Sequence, residues 1–385
     1  MKRDKKTIEK ADESTSIRRW PSVVKRAVLF AMLIAAALLM MLIRGQLLVV
    51  PTYPVPIHTG KMASGRFRIA VLTDLHGRMI GENQEIIVSR VQEIRPDLIV
   101  CLGDMADSAR AKESKTALAV LAEQLTDIAP VCYVDGNHEQ EIRNSDPETY
   151  AQLNAELEKA GAVHLENEIV HFMTNGEDIW TEDAPPEDVP PEDRHPEDNR
   201  PEEKHSEDIP NEDNRYEGAR SEADAAGGAL GKDKGASDGK GTVVNLCGIT
   251  THYYWGGEEY ALVDELREMD GINILLCHYP ESVLWYDAFE GGGLDAALCG
   301  HTHGGLIRLP LVGGVYSPEQ GWWPGYDQGA YPVYTDTDKR NYGGGEGSEY
   351  LGTMIISGGL AGEHGVPRIN NPMEISLVEF SGSNP

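Results

Sequence analysis

Five short apolar runs in this chain end the same way, and that repetition limits the possible folds more than any other feature. "IAVLTDLHG" finishes on Asp74 and His76, "LIVCLGDMAD" on Asp104 and Asp107, and "VCYVDGNHE" on Asn137, His138 and Glu139. "NILLCHYPE" finishes on His278, and "AALCGHTHGG" on His301 and His303. Runs this short and this continuously apolar are expected of strands buried on both faces. Between them lie segments with helical spacing. Ile87, Val91 and Ile94 mark one, closed by Pro96, and Leu118, Leu121, Leu125 and Ile128 mark the next. Alternating strands and helices predict an α/β layered domain, with ligand-binding groups at the carboxyl ends of the strands.

A single Asp or His after a strand is ordinary turn chemistry. Five strand ends that all carry carboxylate, carboxamide or imidazole point to a metal site. The mixed nitrogen and oxygen set, without thiolate, suits Mn²⁺, Fe or Zn²⁺. Seven candidate ligands exceed what one ion needs, and suffice for two if one carboxylate bridges. Two ions about 3.5–4 Å apart can polarise a phosphoryl group and acidify a water. Glycines beside these residues, including Gly103 and Gly136, let the backbone turn tightly there. The five cysteines show no zinc spacing and follow or end apolar runs, so they read as small core residues. A formal net charge of −29 argues against nucleic acid as a partner.

In order along the chain, Asp74-x-His76, Gly103-Asp104-x-x-Asp107, Gly136-Asn137-His138-Glu139, His278 and Gly300-His301-Thr302-His303 resemble the five motifs of the calcineurin-like metallophosphoesterase superfamily. "CHYPE", "GHTHGG" and the terminal "ISGGL…GVPR…NNPMEISL" are similar to its membrane-associated bacterial branch, the YkuE and YaeI type. The resemblance implies a layered β-sandwich flanked by helices. It also implies two divalent ions, one held by Asp74, His76, Asp104 and His303, the other by Asp104, Asn137, His278 and His301. By the same resemblance His138 contacts the scissile phosphate or protonates the leaving group, and Asp107 orients His138. Leu306 stands where the branch often has glutamine. Ser108 and Asp135 stand where serine/threonine protein phosphatases carry arginines, which argues against that activity.

The rest of the chain sets the address. Residues 27–43 are apolar throughout, "GQLLVV" can extend them, and nine basic residues precede them. The expectation is a basic cytoplasmic segment at 1–26 and an uncleaved membrane anchor at 27–50, with the catalytic domain outside. A cleavable signal peptide is the main competitor. Residues 51–65 read as a linker, and 66–382 as the phosphoesterase domain. An acidic insertion at 175–242, with a five-residue repeat over 181–213, carries nothing that could bury apolar surface. The expected function is metal-dependent hydrolysis of a phosphodiester or phosphomonoester by a metal-activated hydroxide, on an envelope or lipid-linked substrate. The alternatives are a nucleotide diphosphate-sugar lipid hydrolase, or a non-catalytic metal-binding module that recruits partners. The aromatic stretch "GWWPGYDQGAY" at 321–331 either shapes the substrate pocket or is a structural loop.

Overall fold

A computed structural model describes residues 22–57, 61–62, 66–174, 179–181, 242–250, 253–335, 347–362 and 366–382. Two mixed sheets face each other with helices on their outer faces. In the first, the strands run Thr52–Ile57, Ser376–Gly382, Arg66–Leu72, Leu98–Leu102, Val131–Val134 and Val163–His164, in that spatial order. In the second the order is Gly329–Tyr334, Tyr350–Ile356, Ala296–Cys299, Ile272–Cys277, Thr242–Ile249, Glu168–Thr174 and Ile179–Thr181. This is the α/β layered domain the strand and helix patterns predict, arranged as the β-sandwich flanked by helices that the resemblance implies.

The burial of each strand follows the period-two rule. Leu98, Val100 and Leu102 point into the layer between the sheets, beside Ile272, Ile274 and Leu276 from the opposite sheet. Ile99 and Cys101 point the other way, under the helices Glu85–Ile94 and Ala111–Thr126. Leu275 and Cys277 likewise meet the aromatic cluster on the far side of the second sheet. Both faces are therefore apolar, which is why these runs do not alternate in sequence. Ile87 and Val91, then Leu118, Leu121 and Leu125, are the buried stripes of the two helices. All five cysteines are buried and free.

Parallel pairing fixes where the site forms. Arg66–Leu72, Leu98–Leu102 and Val131–Val134 are mutually parallel, as are Ile272–Cys277 and Ala296–Cys299. Their carboxyl ends emerge together within each sheet.

Three segments depart from the expected boundaries. The stretch 51–65, expected as a linker, contains the strand Thr52–Ile57, which pairs in parallel with Ser376–Gly382. Pro54 and Pro56 hide the strand in a composition reading. At a sheet edge proline is tolerated, and Val55 and Ile57 still alternate into the core. The apolar helix spans Ser22–Arg44 rather than 27–50. It stops at Gly45, where a Cβ would lie 2.0 Å from the Arg368 carbonyl, and Leu48–Val49 then pair with Met373–Glu374. The helix is long and apolar enough to cross a membrane by length and composition, and none of it is buried in the fold. Of the insertion, Ile179–Thr181 form a strand against Glu168–Thr174, and Thr242 already begins the next strand. Residues 182–241, with the acidic repeat, lie outside the described residues, as do residues 1–21.

Candidate metal centre

The strand ends bring the candidate ligands into two buried groups. Ligand atoms of Asp74, His76 and His303 lie within 4.8 Å of one another, and so do those of Asp104, His278 and His301. Asp104 also groups with His76 and His138, so its carboxylate lies between the two sets. Asn137 shares a cleft wall with His76 and His138.

These groups fit cations on their own chemistry. Neither oxygen of Asp74, nor His76 Nε2, nor Asn137 Oδ1 makes a hydrogen bond, although all are buried. Burying a carboxylate is costly unless cations or donors offset its charge. A positive ion between Asp74, His76 and His303 removes that cost. The two sets are suited to two divalent ions.

Partners on the far side of each imidazole fix which nitrogen faces the centre. His278 Nδ1 donates to the Leu102 carbonyl at 2.6 Å, and His303 Nδ1 to that of Ala361 at 3.1 Å. A carbonyl can only accept, so both rings leave Nε2 unprotonated when neutral. His278 Nε2 then lies 3.3 Å from Asp104 Oδ2, and His303 Nε2 lies 3.8 Å from Asp74 Oδ1. His301 is turned the other way. Its Nε2 meets the Tyr253 hydroxyl at 2.7 Å, and its Nδ1 faces His278 Nε2 at 3.3 Å. Such outer partners orient ligands and tune their basicity. No sequence pattern marks Tyr253, because it reaches His301 from a separate loop.

Proton affinities in the centre diverge. Burial pushes the Asp74 carboxyl up to about 7, and the charge of Asp104 adds to the effect. Asp104 sits well below the usual carboxylate range, because the attraction and hydrogen bond of His278 outweigh burial. The same pair, working against burial, lifts His278 to about 9. Burial takes His76 down to about 4 and holds His303 well below its ordinary value. Groups forced apart in this way mark a functional site more often than a structural one.

The backbone is strained at the same places. Asp74, His76, Asp104, His301 and His303 all have φ between 49° and 69°. Left-handed backbone at a non-glycine residue costs roughly 1–2 kcal/mol, and such outliers gather at active sites. Gly136 is required by close approach, since a Cβ there would lie 2.3 Å from Asp104 Oδ1.

Glu139 ties two of the loops together. It is buried, and its carboxylate accepts from the amides of Asp104, Ala106 and Gly136 at 2.7–2.9 Å. The "GNHE" motif places it in sequence, but its role as a clamp on Asp104 needs the third dimension. Exchange of Glu139 for Gln replaces one acceptor by a donor aimed at an amide. We expect a loss of about 2–3 kcal/mol in urea unfolding of chelator-treated protein.

Asp107 and His138, paired by the resemblance, each have further partners. The Asp107 carboxylate is taken up by Arg110, at 2.7 and 3.0 Å, and by the Ala109 amide. The Ser108 amide instead donates to His138 Nδ1 at 3.0 Å, while the Ser108 hydroxyl donates to Glu141 at 2.6 Å. The strand-end loop turns into a short 3₁₀ helix at Ser108, which brings that residue against the ring. Because an amide can only donate, neutral His138 carries its proton on Nε2.

A cleft of about 670 Å³ opens beside the centre, walled by His76, Asn137, His138, Arg78, Arg110 and Arg368. Gly45 and Gln46, which directly follow the apolar helix, also line it. Sequence reasoning marked none of these arginines, which are distant in sequence and come together at this cleft. The 321–331 stretch does not line this cleft; its Tyr326 and Tyr331 line a separate one of about 760 Å³ beside Phe289. The Asp327 carbonyl accepts from the Thr302 hydroxyl at 2.5 Å, bracing the loop between His301 and His303. Leu306 is buried and also lies off the cleft. Asp135 is enclosed by Tyr150 and His164 at 2.6 and 3.1 Å, and braces the loop before Asn137.

The profile of the family described as calcineurin-like phosphoesterase matches residues 67–305, more than half of the chain. An uncharacterised protein of Bacillus subtilis, YpbG, is 24% identical over 274 residues, covering 70% of this chain and 73% of that protein. A bovine (Bos taurus) "transmembrane protein with metallophosphoesterase domain" is 35% identical over 92 residues, 23% of this chain and 20% of that one. A dimetal phosphatase structure from Danio rerio is 10% identical with a TM-score of 0.32, covering 76% of this chain and 87% of that one.

Proposed function

This chain belongs to the calcineurin-like phosphoesterase family and is a metal-dependent phosphoesterase; from that premise we propose that it cleaves a lipid-linked or other envelope phosphoester at the membrane surface. The observation that carries the reading is the composition of the cleft wall. One wall comes from metal-centre residues, and another from Gly45 and Gln46 at the exit of the apolar helix. A substrate headgroup in that cleft sits at the point where the chain leaves the bilayer. The N-terminus is proposed to face the cytoplasm and the catalytic domain the outside. The positive-inside bias of the basic residues before the helix supports this.

Asp74, His76, Asp104 and His303 are proposed to hold one divalent ion, and Asp104, Asn137, His278 and His301 the other. When bound, the pair supplies Lewis acidity toward a phosphoryl oxygen and an acidified water as nucleophile. Arg78 and Arg110 face the cleft and supply positive charge for the non-bridging oxygens. His138 presents its Nε2 proton to the leaving oxygen, and the Ser108 amide keeps the ring in that tautomer. A non-catalytic metal module would not need this arrangement.

Hydrolysis of a chromogenic phosphodiester by the full chain with Mn²⁺ tests the enzyme reading. His138→Ala is expected to lower kcat about 100-fold or more with little change in bound metal, since proton transfer contributes on the order of 10²–10⁴. Equal rates for the two proteins would remove His138 from the mechanism. A panel of lipid-linked and water-soluble phosphoesters then tests the substrate class, and uniform preference for soluble monoesters would overturn the lipid assignment.

A further inference from the structure

Beyond the cleft, a second part of the molecule is built for an apolar environment. Leu311 is fully exposed, and Val312, Trp322 and Trp323 are 62%, 71% and 58% exposed. They sit on two adjoining hairpins. The Trp323 amide donates to the Val315 carbonyl at 2.8 Å, and Val315 donates to Ile307 at 2.9 Å. Tyr316 packs its ring edge against Trp322. Leu311 and Trp323 also hold left-handed backbone, with φ of 69° and 62°. Folding offers little return for this, because Leu311 at its strained, solvated tip buries no surface and Trp323 stays more than half exposed. Large apolar side chains left exposed together on two adjoining hairpins mark an interaction face.

The hydrogen bonds leading from this patch identify what it meets. Arg308, at the base of the first hairpin, donates its amide to Ile369 at 3.0 Å. Asn370 answers with its side chain on the Arg308 carbonyl at 2.8 Å. The Asn370 amide then donates to the Met41 carbonyl at 2.7 Å, in the last turn of the apolar helix. The exposed hairpins are thus fastened to the segment that clasps the end of the helix. Each such step spans about 5 Å, so the patch lies on the order of 20 Å from the helix end. A leucine and a valine at the tip with two tryptophans behind them match the bilayer boundary, where aliphatic chains enter the acyl region and indole rings settle at headgroup level.

We infer that Leu311, Val312, Trp322 and Trp323 form a second membrane contact, which lies against the same bilayer leaflet the helix exits and holds the cleft mouth at its surface. The inference rests on the membrane-spanning reading of the Ser22–Arg44 helix. A single helix leaves the domain free to swing; a second contact fixes its tilt. With Gly45 and Gln46 in the cleft wall, that tilt sets how a headgroup enters.

The test uses the full chain in phosphatidylcholine vesicles whose acyl chains are brominated near the headgroup. Tryptophan quenching is compared between wild type and a Trp322→Phe, Trp323→Phe variant. The expected result is at least a twofold loss of the quenched emission in the variant, with both proteins resisting alkaline extraction. A Leu311→Asp, Val312→Asp variant, in which both tryptophans remain, should also lose quenching. Unchanged quenching in protein that stays in the membrane would overturn the second contact alone. If the aspartate variant instead dissociates a detergent-solubilised dimer, the patch is a self-association face and the inference falls. Release of wild-type protein by alkali would remove the membrane-helix reading itself, and the inference with it.

Discussion

Replacement of Asp104 by Asn should abolish turnover, lowering kcat/KM on a chromogenic phosphodiester by at least about 1,000-fold, and should leave fewer than one metal ion per chain by elemental analysis. The carboxylate groups with His278 and His301 and also with His76 and His138, with Oδ2 3.3 Å from His278 Nε2 and Oδ1 accepting from the His138 amide at 2.9 Å. A carboxamide can retain the amide contact through its oxygen, so the loop should keep its shape and circular dichroism should be unchanged. It cannot supply the shared negative charge that two adjacent cations require, and rate effects of this size are what metal-ion catalysis commands. Asp107→Asn is the informative control. If the resemblance-based role were right, it would release His138 and cost nearly as much as removing the histidine. The structure ties Asp107 to Arg110, so a loss of less than about tenfold is expected, mostly in KM as Arg110 loses its anchor. An Asp104→Asn protein that retains two ions per chain would refute the bridging assignment.

That contrast shows which parts of the centre were legible in sequence. The seven candidate ligands were readable because each follows a strand that is apolar on both faces, and a polar residue in such a place has few alternative duties. The contact of Ser108 with His138 was not, because Asp107 and Ser108 are adjacent and only the local 3₁₀ turn brings Ser108 to the ring. Tyr253, Arg78 and the clamp by Glu139 depend on contacts between segments separated by tens of residues, and a single sequence does not encode those separations visibly. The fold shows the same division. Buried strands and helix stripes follow from periodicity, whereas Thr52–Ile57 was concealed by two prolines that only an edge position tolerates. The 321–331 stretch was left between a pocket wall and a structural loop, because proximity to the histidine loop along the chain does not decide proximity to the cleft; Trp322 and Trp323 are exposed and do not line it.

The protons held by the centre predict how metal stabilisation varies with pH. In chelated protein the Asp74 carboxyl titrates near 7 instead of its ordinary 3.8, so the folded state holds a proton that the unfolded state has released. Stability from this group therefore falls as pH rises from about 4 to 7. His278, raised from 6.5 to about 9, contributes stability that is present below 6.5 and lost as pH climbs toward 9. Asp104, His76 and His303 act oppositely; the Asp104 contribution is already complete above pH 6, and the two depressed imidazoles add stability only up to about pH 7, above which Asp74 and His278 alone set the trend. The melting temperature in chelator should thus decline from about pH 7 to 8.5. Metal ligands must be unprotonated, so binding of Mn²⁺ displaces these protons at pH 6 and meets fewer of them at pH 8.5. The Mn²⁺-induced rise in melting temperature should therefore widen across this range, by about 5 °C or more, given roughly 1.4 kcal/mol per proton per pH unit and 2–4 °C per kcal/mol for a domain of this size. Scanning fluorimetry at fixed free Mn²⁺ measures it. His278→Gln should flatten the portion above pH 7, because the amide does not titrate. A shift independent of pH in the wild-type protein would mean that the ions bind somewhere other than between these side chains.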